Sequence, residues 1–320
     1  MAHIFFIDPI EKLNIKKDST LMMALTFQKQ GHDCYLLFEK DFYVTNDQES
    51  ELIVYRFNGR FKDDGYYLDQ FNIEKECNLK LSSKDYLHMR IDPPYDSRYQ
   101  RYLWMLNFLV ETVGLEVVNN PLKIMKHNEK LVAYKDKERS HSSYIGSSID
   151  GFNKFIDKLK KSGETDIILK PLDLYSGIGV EKVSLIDKNI ENKFKNKVAE
   201  FQGAIIAQPF IKDVYNGEYR SIYFDGKELG TIIKRPNKGE FLANIAQGAA
   251  FEAVDLPLNL KKVCDEMSKE LFEDGVRFLA FDLLGSSVNE VNVTCPGLLV
   301  EVSYACQKNL GELISKELNI

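Results

Sequence analysis

The sequence predicts an α/β (α+β) chain: an open sheet at the N-terminal end, followed by mixed lobes built from helices and hairpins. Three observations carry this. Strand-like and helix-like runs alternate up to about residue 122, as in βαβ units. Beyond that point the rhythm changes to basic amphipathic helices and strands joined by hairpin-like turns. The chain has 320 residues and 44% hydrophobic content, enough for two or three cores rather than one.

In order, "HIFFID" (3–8) reads as a strand and "STLMMALTFQKQG" (19–31) as a helix with a Ser/Thr start and a Gly stop. "CYLLF" (34–38) and "LHMRID" (87–92) are strands, the latter ended by Pro93 and Pro94. "YQRYLWMLNFLVETVG" (99–114) is a strongly apolar helix, and "LEVVNN" (115–120) a strand before Pro121. A basic helical run, "LKIMKHNEKLVAYKDKE" (122–138), opens the second part, with an amphipathic helix at 150–163 and the strand "DIILKPL" (166–172) behind it. "GAIIAQPF" (203–210), "EYRSIYFDG" (218–226) and "KELGTIIKR" (227–235) read as three consecutive strands. Helices at 259–275 and 307–318 flank the hairpin "FDLLGSSVNEVNVTCPG" (281–297). Boundaries fall near 122 and 200.

The net charge of −6 gives no global attraction to nucleic acid or to an anionic membrane. Five scattered cysteines without a C-x-x-C pair point to reduced thiols in a cytoplasmic protein. The five histidines lack ligand-like spacing, so zinc is not expected. The start has no signal-peptide architecture, and no stretch is long and apolar enough to span a bilayer.

In the hairpin, Glu290 and Asn292 are two apart and share one face of a strand. With the turn centred on Ser286, Asp282 stands opposite Glu290, and like charges so placed repel. A hard divalent cation, Mg²⁺ or Mn²⁺, would relieve that repulsion and suits oxygen donors; a solvated hairpin is the equal alternative. "IILKPLDLYSGIGV" (167–180) sets Lys170 at a strand end before a loop with Gly177 and Gly179, a pattern that suits phosphate, although an ordinary strand-to-turn junction has the same form. Lys130 lies in a helical run, and Arg220 and Lys234 lie inside apolar strands. A cation inside a strand implies either an open edge or an anionic ligand. Arg90 and Asp92 end a strand, where ligands of open α/β sheets bind. "AQPFIKD" follows a strand and places Phe210 either against an adenine ring or in plain core.

The order of these features resembles the ATP-grasp ligases and, more closely, the bacterial-type glutathione synthetases. "DPIEKLNIKKDST" (8–20), "MRIDPPYD" (89–96), "NEKL" (128–131), "IILKPLD" (167–173) and "NEVNVTCPG" (289–297) carry the resemblance over nearly the whole chain. It implies three domains: an N-terminal α/β domain (1–122), a central lid (123–200) and a C-terminal domain (201–320). The reaction it implies is γ-glutamylcysteine + glycine + ATP → glutathione + ADP + phosphate, in a homo-oligomer, a tetramer by analogy. Lys130 and Lys170 match the family's nucleotide-phosphate lysines, and Gln208, Phe210 and Ile211 the segment around adenine. Arg220 and Lys234 match its phosphate-side catalytic cations, the second with Lys where Arg is usual. Asp282, Glu290 and Asn292 match the magnesium ligands. Arg90 and Asp92 match a substrate-side strand end, and Asn244 falls in the segment matching the substrate loop (237–253). Arg220 is the candidate donor to a tetrahedral oxyanion.

Leu242, Ala250 and Val300 stand where that family carries substrate-holding arginines, and aliphatic side chains cannot clamp a carboxylate. Two alternatives therefore accompany the glutathione reading: the same ligation on a different acid and amine, or a silent ATP-binding protein that kept the fold.

Overall fold

The computed structural model describes residues 1–46, 50–63, 65–135, 137–245 and 248–318. The first sheet is built from β1 (Ala2–Ile7), β2 (Asp33–Phe38), β3 (Glu51–Phe61), β4 (Leu68–Lys80), β5 (Tyr86–Arg90) and β6 (Glu116–Val118), in the order β4-β3-β2-β1-β5-β6. β1 pairs in parallel with β2 and β5, and β5 with β6, while β3 and β4 add an antiparallel hairpin at one edge. Every residue of β1 is buried, as an interior parallel strand covered on both faces requires. Helix α1 (Ser19–Lys29) is capped by Asp18, whose carboxylate accepts from Leu21 N at 2.8 Å. Helix α2 (Ser97–Val113) is capped by Asp96 and ends at Gly114, whose φ of 77° closes the last turn.

The basic run at 122–138 is not one helix. It splits into α3 (Pro121–Lys126) and α4 (Glu129–Tyr134), because the Asn128 side chain accepts from Lys130 N and Leu131 N and starts a new helix. A four-stranded sheet follows, made of β7 (Tyr144–Gly146), β8 (Asp166–Pro171), β9 (Glu181–Ser184) and β10 (Ile205–Pro209), in the order β7-β10-β8-β9. Helices α5 (Ile149–Lys161) and α6 (Ile190–Glu200) cover it, with Phe152 and Phe194 stacked at 4.1 Å inside their own core. The strand at 203–210 therefore pairs with β8 rather than with the strands after it.

The third sheet joins β11 (Glu218–Phe224), β12 (Lys227–Arg235), β13 (Ala250–Ala253), β14 (Phe278–Leu284) and β15 (Ser287–Asn292), in the order β13-β12-β11-β14-β15. Helix α7 (Leu258–Glu273) packs on one face together with Val132 and Ala133 of α4. Helices α8 (Leu299–Cys306) and α9 (Leu310–Glu317) pack on the other, where they share a continuous core with α1 and the first sheet. Asn119 fastens this junction: its amide nitrogen donates to Phe278 O at 2.6 Å and Val293 O at 2.8 Å, and its oxygen accepts from Phe278 N at 2.7 Å. The first and third sheets thus form one body, with the small sheet folded against it. We divide the chain accordingly, with a lid at about residues 140–209 and α3 and α4 assigned to the body.

Under the first sheet, His3 Nδ1 lies 3.1 Å from His88 Nε2, and the His3 ring stacks on Tyr86. Burial, followed by the His32 and N-terminal charges and opposed by Asp85, lowers the pKa of His3 to about 4; burial and His3 also hold that of His88 well below its ordinary value. A base with a depressed folded pKa is protonated first in the unfolded chain, so stability falls as pH drops from about 6.5 toward 4 and is unaffected above that window. His3 alone accounts for up to about 3 kcal/mol of that loss. Urea unfolding at pH 7.0, 5.5 and 4.5 should show the decline, and His3→Phe should flatten it. A parental profile unchanged by that substitution would exclude His3 as a source.

Candidate active site

The cleft between the lid and the third sheet holds about 380 Å³. Its floor is set by cross-strand register. Lys234 on β12 stands opposite Glu218 on β11, Arg220 on β11 opposite Asp282 on β14, and Asp282 opposite Glu290 on β15. A row of charged side chains thus crosses four strands on one face, with two carboxylates side by side at the β14–β15 end. Asp282, only 5% exposed, accepts four donors: Arg220 Nε at 2.9 Å and Lys234 Nζ at 3.0 Å on one oxygen, Arg220 Nη2 at 2.7 Å and Asn292 Nδ2 at 3.1 Å on the other. Burial alone would raise its pKa, but Arg220 and Lys234 outweigh burial and hold the carboxyl well below the usual range. Burial likewise opposes the Lys234 charge, and Asp282 and Glu218 overcome it.

The Asp282–Glu290 repulsion is therefore offset within the chain, by Arg220 and Lys234 on one side and by Lys130, whose Nζ lies 3.1 Å from Glu290 Oε1, on the other. The strand-interior cations likewise need neither an open edge nor a ligand, since carboxylates on adjacent strands face them. The third sheet also carries a register shift between Asp282 and Leu283: Asp282 pairs with Glu290 but Leu283 with Val288, leaving Asn289 as the extra residue. Such a bulge re-aims a side chain. Asn289, Glu290 and Asn292 all line the cleft, and Asn289 accepts from Lys170 Nζ at 3.2 Å.

The roof comes from the lid. Lys170 is the penultimate residue of β8, buried, with its ammonium 5.7 Å above the Tyr134 ring. Burial lowers its pKa, against the pull of Glu290, Glu218 and Asp282. A desolvated ammonium whose hydrogen bond is to a neutral amide favours an incoming anion. Lys130 Nζ also donates to Leu174 O at 2.7 Å, tying α4 to the loop after β8. Gly177 (φ 76°) lines the cleft, and a Cβ there would meet Leu242 at 3.1 Å. Gly179 (φ 75°) faces away from it, and a Cβ there would strike Phe201 at 2.5 Å, so this glycine serves loop packing in the lid.

At the far end, Gln208 donates to Ser143 Oγ at 2.8 Å, and Gln208, Phe210 and Ile211 form part of the wall. Phe210 carries the Lys182 ammonium at 3.8 Å over its ring and meets the rings of Tyr215 and Phe241 edge-on, at 67° and 87°. The segment 241–245 closes the cleft with Phe241, Leu242, Ala243 and Ile245, while Asn244 Nδ2 donates to Ser176 O at 3.2 Å. Residues 246 and 247 of the sequence-predicted substrate loop lie outside the described residues. Of the three positions expected to carry arginine, Leu242 lines the cleft, Ala250 is exposed at the start of β13, and Val300 is fully buried in the shared core.

Arg90 lines a second cavity of about 250 Å³, which meets the cleft at Asp92, Cys295 and Gly297. It is 5% exposed, donates to Thr20 Oγ1 at 3.0 Å and Pro296 O at 2.8 Å, and leaves Nη1 without a partner among the described residues. Lys12, Lys17, Asn14 and Asp18 complete the wall.

Sequence reasoning passed over Glu218, Asn289 and Glu129. Glu129 Oε1 accepts from Val293 N, Thr294 N and Thr294 Oγ1 at 2.7–2.9 Å and so anchors the exit of β15 to the helix that carries Lys130. Its place directly before Lys130 in "NEKL" was the available signal.

Among the described residues lining the cleft, Lys130, Lys170, Arg220 and Lys234 face five carboxylates: Asp92, Glu129, Glu218, Asp282 and Glu290. Four cations against five anions cannot receive a nucleoside triphosphate unless a divalent cation accompanies it. The carboxylate and amide oxygens of Asp282, Glu290 and Asn292, all on this wall, fit such a cation by donor type.

A two-sheet cleft closed by a small lid, with lysines on both sides and oxygen donors on a terminal hairpin, defines an ATP-grasp ligase. The solved structures bear this out at the level of fold. D-cycloserine synthetase DcsG superposes with a TM-score of 0.67 at 12% identity over 99% of both chains. D-alanine–D-alanine ligase from Bacillus anthracis, complexed with ATP, gives 0.58 at 15% identity over 100% of this chain and 96% of the other.

The chain belongs to the prokaryotic glutathione synthetase family: its N-terminal domain model matches residues 1–124 and its ATP-grasp domain model residues 129–307. Glutathione synthetase of Coxiella burnetii is 30% identical over 90% of this chain and 87% of its own length, and that of Vibrio parahaemolyticus 29% over 93% and 91%. The protein is thus an ATP-dependent ligase that forms an amide bond on small-molecule substrates, of the glutathione synthetase type, working with ATP and a divalent metal. No described helix is long and apolar enough to cross a membrane.

Proposed function

We propose that the chain joins the carboxylate of γ-glutamylcysteine to the amine of glycine, driven by ATP and with Mg²⁺ as the divalent cation, releasing glutathione, ADP and phosphate. The observation that carries this reading is the meeting of the Arg90 cavity and the nucleotide cleft at Asp92, Cys295 and Gly297. A carboxylate held through the free Nη1 of Arg90 would sit beside the phosphates rather than apart from them.

Each predicted residue except Gly179 takes a role on that geometry. Lys130, Lys170 and the backbone at Gly177 hold the nucleotide phosphates, and Gln208, Phe210 and Ile211 wall in the base. Asp282, Glu290 and Asn292 hold the cation, which when bound draws charge from the phosphate oxygens; Mn²⁺ suits the same donors. Arg220 and Lys234, fixed by Asp282, keep positive charge at the point where the phosphoryl group passes to the carboxylate and where the tetrahedral oxyanion forms. Arg90 and Asp92 orient the acid. Asn244 holds segment 241–245 against the glycine loop, and the apolar side chains of that segment keep water from the acyl phosphate.

A second reading, the same chemistry with another amine, is favoured by that apolar segment, which offers no guanidinium for a glycine carboxylate. Phosphate release with ATP, Mg²⁺, γ-glutamylcysteine and glycine separates the two. Release with this pair supports glutathione synthesis. Release only when glycine is exchanged for another amine supports the second reading, and no release with any acid and amine overturns both. By kinship we place the protein in the cytoplasm, as a homo-oligomer of tetramer type. The described cysteines are all free thiols, in keeping with a reducing compartment.

A further inference from the structure

Helix α7 ends at Asp274, where side chains from α3 and the residue after it gather. Lys123 Nζ lies 2.8 Å from Asp274 Oδ1, and Lys126 Nζ and His127 Nε2 lie 2.6 and 2.7 Å from Oδ2. These partners hold the Asp274 carboxyl well below the usual carboxylate range. Positive charge at a helix C-terminus is favourable, which accounts for the two lysines and for one edge of the His127 ring. The other edge is not accounted for. His127 is 5% exposed, and its Nδ1 has no hydrogen-bond partner among the described residues.

His127 lines a cavity of about 250 Å³ between α3, α4 and α7, separate from the nucleotide cleft. Helix α4 turns Lys130 to the cleft and Val132 to this cavity. Val132, Met267 and Leu271 give the cavity an apolar side. Its charged lining sets three fixed cations, Lys126, Lys135 and Arg139, against two carboxylates, Glu270 and Asp274. Counting the flanking Lys123 and also Glu266, which lies 2.9 Å from Arg139 Nη2, leaves the same excess of one positive charge. Because Asp274 is ionised, His127 Nε2 carries the hydrogen of that bond. Burial, opposed by Asp274 and helped by Lys135 and Lys126, lowers the pKa of His127, so the ring is neutral near pH 7 and Nδ1 is a bare acceptor.

A ligand that suits this lining brings one negative charge, a hydrogen to donate to Nδ1 and a short apolar part. A phosphate monoester has all three as the monoanion, since its second ionisation lies at a pH of about 6. A simple carboxylate or a sulfonate has no such hydrogen near pH 7. We infer that the cavity is a binding site for a small phosphate monoester. Its O–H donates to His127 Nδ1, its anionic oxygens accept from Lys135 and Arg139, and its organic group lies on Val132, Met267 and Leu271.

The test is calorimetric titration of butyl phosphate, at pH 6.5, into the full-length protein saturated with Mg²⁺ and the β,γ-imido analogue of ATP, which keeps the probe out of the cleft. One saturable site with Kd below about 1 mM is expected. Butanesulfonate should bind at least about tenfold more weakly, because it leaves Nδ1 unpaired. Lys135→Glu should weaken butyl phosphate at least about tenfold by setting like charges together. Its thermal midpoint should stay parental, since Lys135 is exposed. His127→Phe should weaken the probe as much, and the Lys135 arm stands even if that variant fails to fold. No saturable binding, binding unchanged by Lys135→Glu, or butanesulfonate or 3-hydroxybutanoate bound as tightly as butyl phosphate would each overturn the assignment.

Discussion

Asp282→Asn lowers the stability of the protein by about 3–5 kcal/mol and abolishes ligation. Its carboxylate is the single acceptor shared by Arg220 and Lys234, both buried. Removing one partner of a buried ion pair costs that much because the remaining charge stays desolvated. Here Arg220 is left with no carboxylate partner, and Lys234 keeps only Glu218, at 2.8 Å. Calorimetry should show a fall in the unfolding midpoint of roughly 5–7 °C. An unshifted midpoint would show that the row of charges across β12, β11, β14 and β15 does not support the sheet. The loss of turnover has a separate cause: without Asp282, Arg220 and Lys234 are no longer fixed at the reacting phosphate.

Glu290→Gln produces the opposite pattern, a large catalytic loss on a nearly parental fold. Glu290 faces the cleft at 18% side-chain exposure, and its partner Lys130 keeps its hydrogen bond to Leu174 O. The amide retains an oxygen for Lys130 but supplies no negative charge to a divalent cation. A drop in kcat of about 10²–10³ is expected, the usual range for removing one preorganised electrostatic contact, with the unfolding midpoint within about 2 °C of the parent, because relief of the Asp282–Glu290 repulsion offsets the weakened Lys130 pairing. A parental kcat would remove Glu290 from the metal site. Asp282→Asn and Glu290→Gln together separate a cation ligand that also holds the sheet together from one that serves the site alone.

Much of this site could be read from local sequence. The two-residue alternation put Glu290 and Asn292 on one wall, but the turn is Gly285–Ser286 rather than centred on Ser286, and Asp282 still faces Glu290 because the bulge at Asn289 shifts the pairing by one residue. The helix with Lys130 and the strand end with Lys170 were legible for the same reason: each depends on a few adjacent residues. Pairing between distant segments was not legible. Nothing near Arg220 in sequence announces that β14 will set Asp282 against it, 62 residues away. For that reason the repulsion at Glu290 first pointed outward to a ligand, when the chain supplies its own cations. The bulge at Asn289 escaped because one extra residue leaves no compositional mark. The strand at 203–210 reads as the first of three consecutive strands because sequence neighbours usually pair, whereas β10 returns to β8. The hairpin of β3 and β4 was missed although its alternation is visible, since its outer strand is largely exposed and polar.

The central claim is that the cleft activates a carboxylate by phosphorylating it. The most direct measurement supplies γ-glutamylcysteine labelled with ¹⁸O in its cysteinyl carboxylate, together with ATP, Mg²⁺ and glycine, and weighs the released phosphate by mass spectrometry. The account requires one ¹⁸O in each phosphate released, carried over when the amine displaces it from the acyl group. Phosphate released without label, while the peptide retains both labelled oxygens or no amide forms, would contradict it.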